Sequence, residues 1–190
     1  MTLVQRPFPI FALAALALLA LGPGCTRKTI RPEPFEVPIE SRLILQVPYY
    51  GAEEGAGAAG ALAEVMTFNG RPTSAERIVL ALGATPPSPH ALVVWARTEG
   101  LTASYYNGDP RGLVAAVRSS QPLIIRLGAP AGPLAQGDYA VVVGYNPEGV
   151  VVNSRSINQQ IVPWSDFLSG WFKAGNLTIS LEPFSSAAFE

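Results

Sequence analysis

The order of apolar and polar residues divides the 190-residue chain into three stretches. The first, Phe8–Leu21, is apolar sequence behind a single early cation, Arg6. The second mixes helical spacing with short runs. Ala58–Asn69 puts Leu62, Val65, Met66 and Asn69 on one face, and Gly70 suits its C-cap. Thr73 or Ser74 can cap a second helix through Leu82. Ser88 opens a third over His90–Glu99, closed by Gly100, and Pro110–Ser119 reads as a fourth. Leu43–Val47, ended by Pro48, reads as an edge strand, and Leu101–Tyr106 alternates like a strand. The third stretch switches to a period of two and to continuous apolar runs. Leu123–Leu127, Tyr139–Tyr145, Val150–Asn153, Gln160–Val162 and Leu177–Leu181 are β-branched and bounded by Gly, Pro or Asn. Trp164–Phe172 between them is a short helix with Trp164, Phe167, Leu168 and Trp171 on one side. Helices first and antiparallel strands afterwards predict an α+β domain with separated halves.

Composition narrows the function classes. Hydrophobic residues make up 48% of the chain and charged residues 14%, and part of that bias comes from the N-terminus. Net charge is −1 and no basic run exceeds Arg27-Lys28, so there is no electrostatic footprint for nucleic acid. A single cysteine, Cys25, excludes an intrachain disulfide, and a single histidine, His90, excludes a histidine cluster. No metal or cofactor is expected.

Residues 1–24 have the layout of a secretory signal, with Arg6 as the positive region and Gly22-Pro23-Gly24 as the small-residue end before Cys25. The apolar run falls short of the roughly 20 residues of a permanent transmembrane helix. This junction resembles the lipobox of bacterial lipoproteins, although Gly22 and Pro23 depart from the usual pattern. The resemblance implies that Cys25 is lipidated. Each buried methylene of such an anchor contributes about 0.8 kcal/mol. Thr26 after the cysteine points, by the same resemblance, to the outer membrane facing the periplasm. An ordinary signal with a chance cysteine is the alternative. Residues 25–42, interrupted by Pro32, Pro34 and Pro38, then read as an extended tether. The domain is expected over residues 43–184, with a short tail over 185–190.

Two blocks carry a second resemblance. From Val47 the chain reads VPYYGAEEGAGAAGALAEVMTFNG, and from Gly137 it reads GDYAVVVGYNPEGVVVNS. These resemble VPxxPQ…CGPAALAxVLNxxG and HYxVVVGYD of the papain-like C39 peptidases. Gln121–Ile125 and Asp166-Phe167…Trp171…Gly175-Asn176 add weaker marks in the right order. The resemblance implies a papain-like C39 fold, N-terminal helices packed on a C-terminal antiparallel sheet. It also places Gly57 where that family has its nucleophilic cysteine, Ala52 at its oxyanion glutamine, and Asp138 at its histidine. The third triad position falls near Asn153-Ser154. Cleavage by such a fold needs a thiolate, an imidazole that activates it and a group that orients the imidazole. None of these positions carries the required group, so the chain is expected to be an inactive homologue with no catalytic residues.

A groove lined by Tyr50, Glu53, Glu54, Gly57, Asp138 and Tyr139 is the candidate binding cleft. The glycine-rich entrance to the first helix leaves backbone amides open to an extended peptide or a carboxylate. Asp138 could instead pair with Glu53 or Glu54 as an acid–base couple, or be a plain turn residue after Gly137. Ser154 and Ser156 have no base partner, and His90 reads as a surface or cap histidine. Three functions follow. The first is a membrane-tethered, non-catalytic module that binds a peptide segment or protein partner in the envelope, as degenerate C39-like domains of some export transporters do. The others are a structural envelope lipoprotein that binds through its outer surface, and a hydrolase with replaced chemistry.

Overall fold

The computed structural model describes residues 35–36, 43–50, 57–83, 87–132, 134–135, 137–155 and 157–183. The signal segment, Cys25, most of the tether, Ala52, Glu53, Glu54, Ser156 and the tail lie outside these residues. Among the described residues there are five helices: α1 (Ala58–Phe68), α2 (Ala75–Leu82), α3 (Pro89–Thr98), α4 (Pro110–Arg118) and α5 (Trp164–Phe172). The seven strands are β1 (Leu43–Ile44), β2 (Leu101–Asn107), β3 (Leu123–Arg126), β4 (Tyr139–Tyr145), β5 (Gly149–Ser154), β6 (Ile157–Pro163) and β7 (Leu177–Pro183).

Local chemistry explains most boundaries. Ser74 caps α2 by accepting from the Arg77 amide at 3.2 Å, and Ser88 caps α3 by accepting from Ala91 at 3.1 Å. Asp109 caps α4 twice, accepting from the Arg111 amide at 2.9 Å and the Gly112 amide at 3.0 Å. Replacing Asp109 with alanine is therefore expected to lower stability by about 1 kcal/mol, read as a shift of the denaturant midpoint at constant slope.

All strand pairs are antiparallel, in the order β2-β7-β3-β4-β5-β6, with β1 added to β4. Every residue of β4 and β5 is buried, which is why both read as continuous apolar runs rather than alternating ones. The expected strand Leu43–Val47 pairs only over Leu43–Ile44, and the Leu45 amide adds one bond to the Val143 carbonyl at 2.7 Å. Gly144 makes that approach possible: a Cβ there would collide with the Leu43 carbonyl oxygen.

Two expectations change. The halves are not separated, because β2 from the helical half pairs along its whole length with β7 at the edge of the sheet. And α1 is not amphipathic. Ala58 through Met66 are all buried, Glu64 included, since the alanines and Gly60 let neighbours close in from every side. Asn69 is half-buried, and its side-chain amide donates to the Val65 carbonyl at 2.9 Å.

Between β3 and β4 the chain makes an excursion pinned at its base. The Leu127 amide donates to the Asp138 carbonyl at 2.9 Å, and the Gly137 amide to the Leu127 carbonyl at 2.7 Å. Helix α5 props this loop. The Gly128 amide donates to the Gly170 carbonyl at 2.9 Å, and a Cβ at Gly170 would lie 2.9 Å from the Ala129 carbonyl. The loop thus delivers Gly137 and Asp138 to a fixed place at the start of β4.

Candidate functional site

Helix α1 begins at Gly57, whose φ of 71° and ψ of −137° are open to glycine and hostile to a side chain. Among the described residues no side chain caps this end, where the helix dipole has its positive end. A Cβ built on Gly57 would meet nothing within 4 Å. That open space belongs to a cleft of about 310 Å³ bordered by Gly57, Ala58, Arg126, Asp138, Tyr139 and Arg155, with the α2 and α3 side completing it. Gly57 and Asp138 therefore border one cleft, from the head of α1 and the head of β4.

Asp138 is held by its own turn. Its Oδ2 accepts from the Ala135 amide at 2.9 Å and its carbonyl accepts from Leu127. This is the geometry of a turn residue; Glu53 and Glu54, the acid–base partners considered for it, lie outside the described residues. Tyr139 is buried at the base of the cleft, and burial pushes its hydroxyl above the ordinary value while Arg126 pulls the other way. The Arg126 guanidinium carbon lies 5.9 Å from the Tyr139 ring centroid, a cation–π distance. Tyr50 differs from expectation. It does not border this cleft; its hydroxyl hydrogen-bonds Thr67 Oγ1 at 2.7 Å along the flank of α1. His90 stands exposed on α3, edge-on to Tyr105 with centroids 6.3 Å apart, and is also absent from the cleft lining.

Asn153 sits deeper. Its Oδ1 accepts from the Gln159 amide at 3.1 Å, where φ of Gln159 is 53° and the β5–β6 register shifts. Its Nδ2 donates to Glu64 Oε2 at 3.3 Å. Glu64 is the residue the sequence reading passed over. It lies seven positions after Gly57, hence on the same side of α1, and Ala61 between them leaves the way open. It is only 5% exposed. Burial raises its carboxyl from 4.5 to about 7, against the opposing hydrogen bonds from Asn153 and the Tyr50 amide. The one signal available was a lone glutamate inside an alanine-rich helix.

Among the described residues the cleft lining contains no thiol and no imidazole. It offers helix-end amides, two guanidinium groups and an aromatic floor. Such a surface can hold an extended chain or a carboxylate.

No family model matches the chain, and no curated protein matches it in sequence. Solved structures match its fold. A structure assigned as a C39-like peptidase of Bacillus anthracis aligns with a TM-score of 0.64 at 16% identity, covering 77% of this chain and 100% of that one. The fold is that of the C39-like peptidases. A double glycine motif protease from an AMS/PCAT transporter, solved in complex with the leader peptide, aligns at 0.56 and 17% identity over 76% of this chain and 100% of that one. The peptidase domain of Streptococcus ComA, a bi-functional ABC transporter involved in a quorum-sensing pathway, aligns at 0.56 and 18% identity over 75% and 98%. At these identities the likeness is one of C39-like fold alone.

Proposed function

We propose that this protein is a lipid-anchored envelope protein whose C39-like domain holds an extended peptide segment without cutting it. The observation that carries this reading is Gly57. At the head of the buried α1, on the border of the cleft, the chain has a glycine where the resemblance puts a nucleophilic cysteine, and Asp138 where it puts the histidine. A glycine cannot attack a carbonyl, and a carboxylate that accepts from its own turn cannot replace an activating imidazole. Ala52 removes the amide that the family's glutamine gives to a developing oxyanion, a contribution of about 3–4 kcal/mol elsewhere. What remains is a groove with peptide-binding features. The signal-like residues 1–24 and Cys25 support export and a lipid anchor, facing the periplasm at the outer membrane.

The binding test uses a fluorescent synthetic peptide with a double glycine motif and the full-length protein in detergent. Anisotropy is expected to report binding, and mass spectrometry to return the peptide intact. Gly57→Trp fills the cleft and is expected to weaken binding by about tenfold or more. Gly57→Ala carries the same backbone strain with little bulk, so it serves as the matched control and keeps most of the affinity. Equal binding by wild type and Gly57→Trp would move the function to the outer surface.

The anchor is tested separately. Cys25→Ser is expected to abolish incorporation of labelled fatty acid and to release the protein from the membrane fraction. Retention of label would contradict lipidation at Cys25.

A further inference from the structure

A second, much smaller cavity of about 10 Å³ lies against Gly57, bordered by Ala61, Glu64, Asn153 and Ser154, room for a single water at most. Three features coincide there. Glu64 is a buried carboxylate whose two hydrogen-bond donors, Asn153 Nδ2 at 3.3 Å and the Tyr50 amide at 3.4 Å, are both neutral and both distant. The Ser154 hydroxyl is buried and has no hydrogen-bond partner among the described residues. And Gly57, Tyr139 and Arg155 border both this cavity and the larger cleft. Anything seated over Gly57 therefore covers the carboxylate beneath.

We propose that Glu64 is a proton-binding site coupled to the cleft: a peptide resting over Gly57 is held with Glu64 protonated, so binding takes up one proton. This rests on the reading of the cleft as a peptide site. The proton comes from solvent and adds to one carboxylate oxygen, and no other bond changes. Two physical effects drive it. Covering the cavity removes water, which disfavours the charged form. The neutral acid also gains an O–H donor, and the unpartnered Ser154 hydroxyl borders the same cavity, which has room for one bridging water. Among the described residues the titratable and charged groups facing Glu64 are Tyr49 and Tyr50 from the segment before α1, Tyr139 from β4 and Arg155 after β5. Of these only Arg155 is a cation; it is exposed and favours the ionised form while the cleft is open. The Tyr49 hydroxyl is pushed up by burial and then by the Glu64 charge. Burial places the Glu64 carboxyl at about 7, inside the range where such coupling can be measured.

The test follows binding of the double glycine peptide between pH 6 and 8. Wild-type affinity is expected to weaken about tenfold over that interval, one pH unit of titration above the midpoint. Glu64→Gln, neutral at every pH and nearly the same shape, is expected to bind at pH 8 as wild type does at pH 6. A wild-type protein with no slope, or a Glu64→Gln protein that keeps it, overturns the coupling. A peptide that binds at no pH sinks the cleft reading instead, and a ligand-free measurement then decides the proton site. Carboxyl-carbon NMR titration of Glu64 in Gly57→Trp, or in Ser88→Trp from the facing lip if the first variant does not fold, is expected to show the midpoint raised by about two units, the shift that a tenfold change in affinity requires. An unchanged midpoint under an occupied cleft overturns the proposal.

Discussion

Truncating Trp171 to alanine is expected to destabilise the domain by about 3–5 kcal/mol and to weaken peptide binding in whatever protein stays folded. Trp171 is 1% exposed and is among the largest fully buried side chains among the described residues. Its ring lies 5.6 Å from that of Phe167, and its Nε1 donates to the Leu177 carbonyl at 3.2 Å. Removal therefore opens a cavity of indole size and leaves a carbonyl short of its donor. The effect reaches the cleft because α5 supports the loop between β3 and β4. Gly170, next to Trp171, accepts from Gly128 and packs on Ala129 and Ala131. That loop ends at Gly137 and Asp138, which border the cleft. Chemical denaturation measures the stability loss. Trp171→Phe, which restores most of the volume, is expected to recover more than half of it. A loss under about 1 kcal/mol in Trp171→Ala would mean that α5 does not brace the loop.

Glu64 makes the second large contribution, and its sign is the reverse of the usual carboxylate. The folded domain holds the Glu64 proton more tightly than the unfolded chain does, about 7 against 4.5. The neutral acid is thus the form the fold favours. Its contribution is fully present below about pH 4.5 and is lost as the pH rises to about 7, where the buried carboxylate has become charged. Two and a half units correspond to at most about 3 kcal/mol at one unit per 1.36 kcal/mol. The three tyrosines displaced from their ordinary value, Tyr49, Tyr106 and Tyr139, all move upward, away from this window. Glu64→Gln is expected to flatten the fall in denaturation midpoint between pH 5 and 8. A Glu64→Gln protein with the wild-type slope would show that another group titrates there.

Much of the fold was legible because local chemistry decides it. Ser88 before Pro89 starts α3, the aromatic spacing of Trp164–Phe172 gives α5 to the residue, and Tyr139–Tyr145 is strand along its whole length. What local chemistry does not carry was missed. The β2–β7 pair joins residues some seventy to eighty positions apart, and neither strand's pattern says which edge it will meet. The full burial of α1 was hidden because alanine is equally at home on a face or in a core. Glu64 was passed over for the same reason, since one glutamate in a helix reads as its solvent side. Tyr50 was expected on the cleft, whereas its hydroxyl hydrogen-bonds Thr67 along the flank of α1.

Whether the cleft holds a peptide without cutting it is tested most directly by a photo-crosslink. A double glycine peptide carrying a photoreactive phenylalanine beside the motif is bound to the full-length protein, illuminated and mapped by mass spectrometry. An uncut peptide is expected, attached at the head of α1, around Gly57–Ala59, or at Asp138–Tyr139 on the start of β4. Attachment confined to other surfaces, or a peptide recovered cut at its motif, would contradict that reading of the cleft.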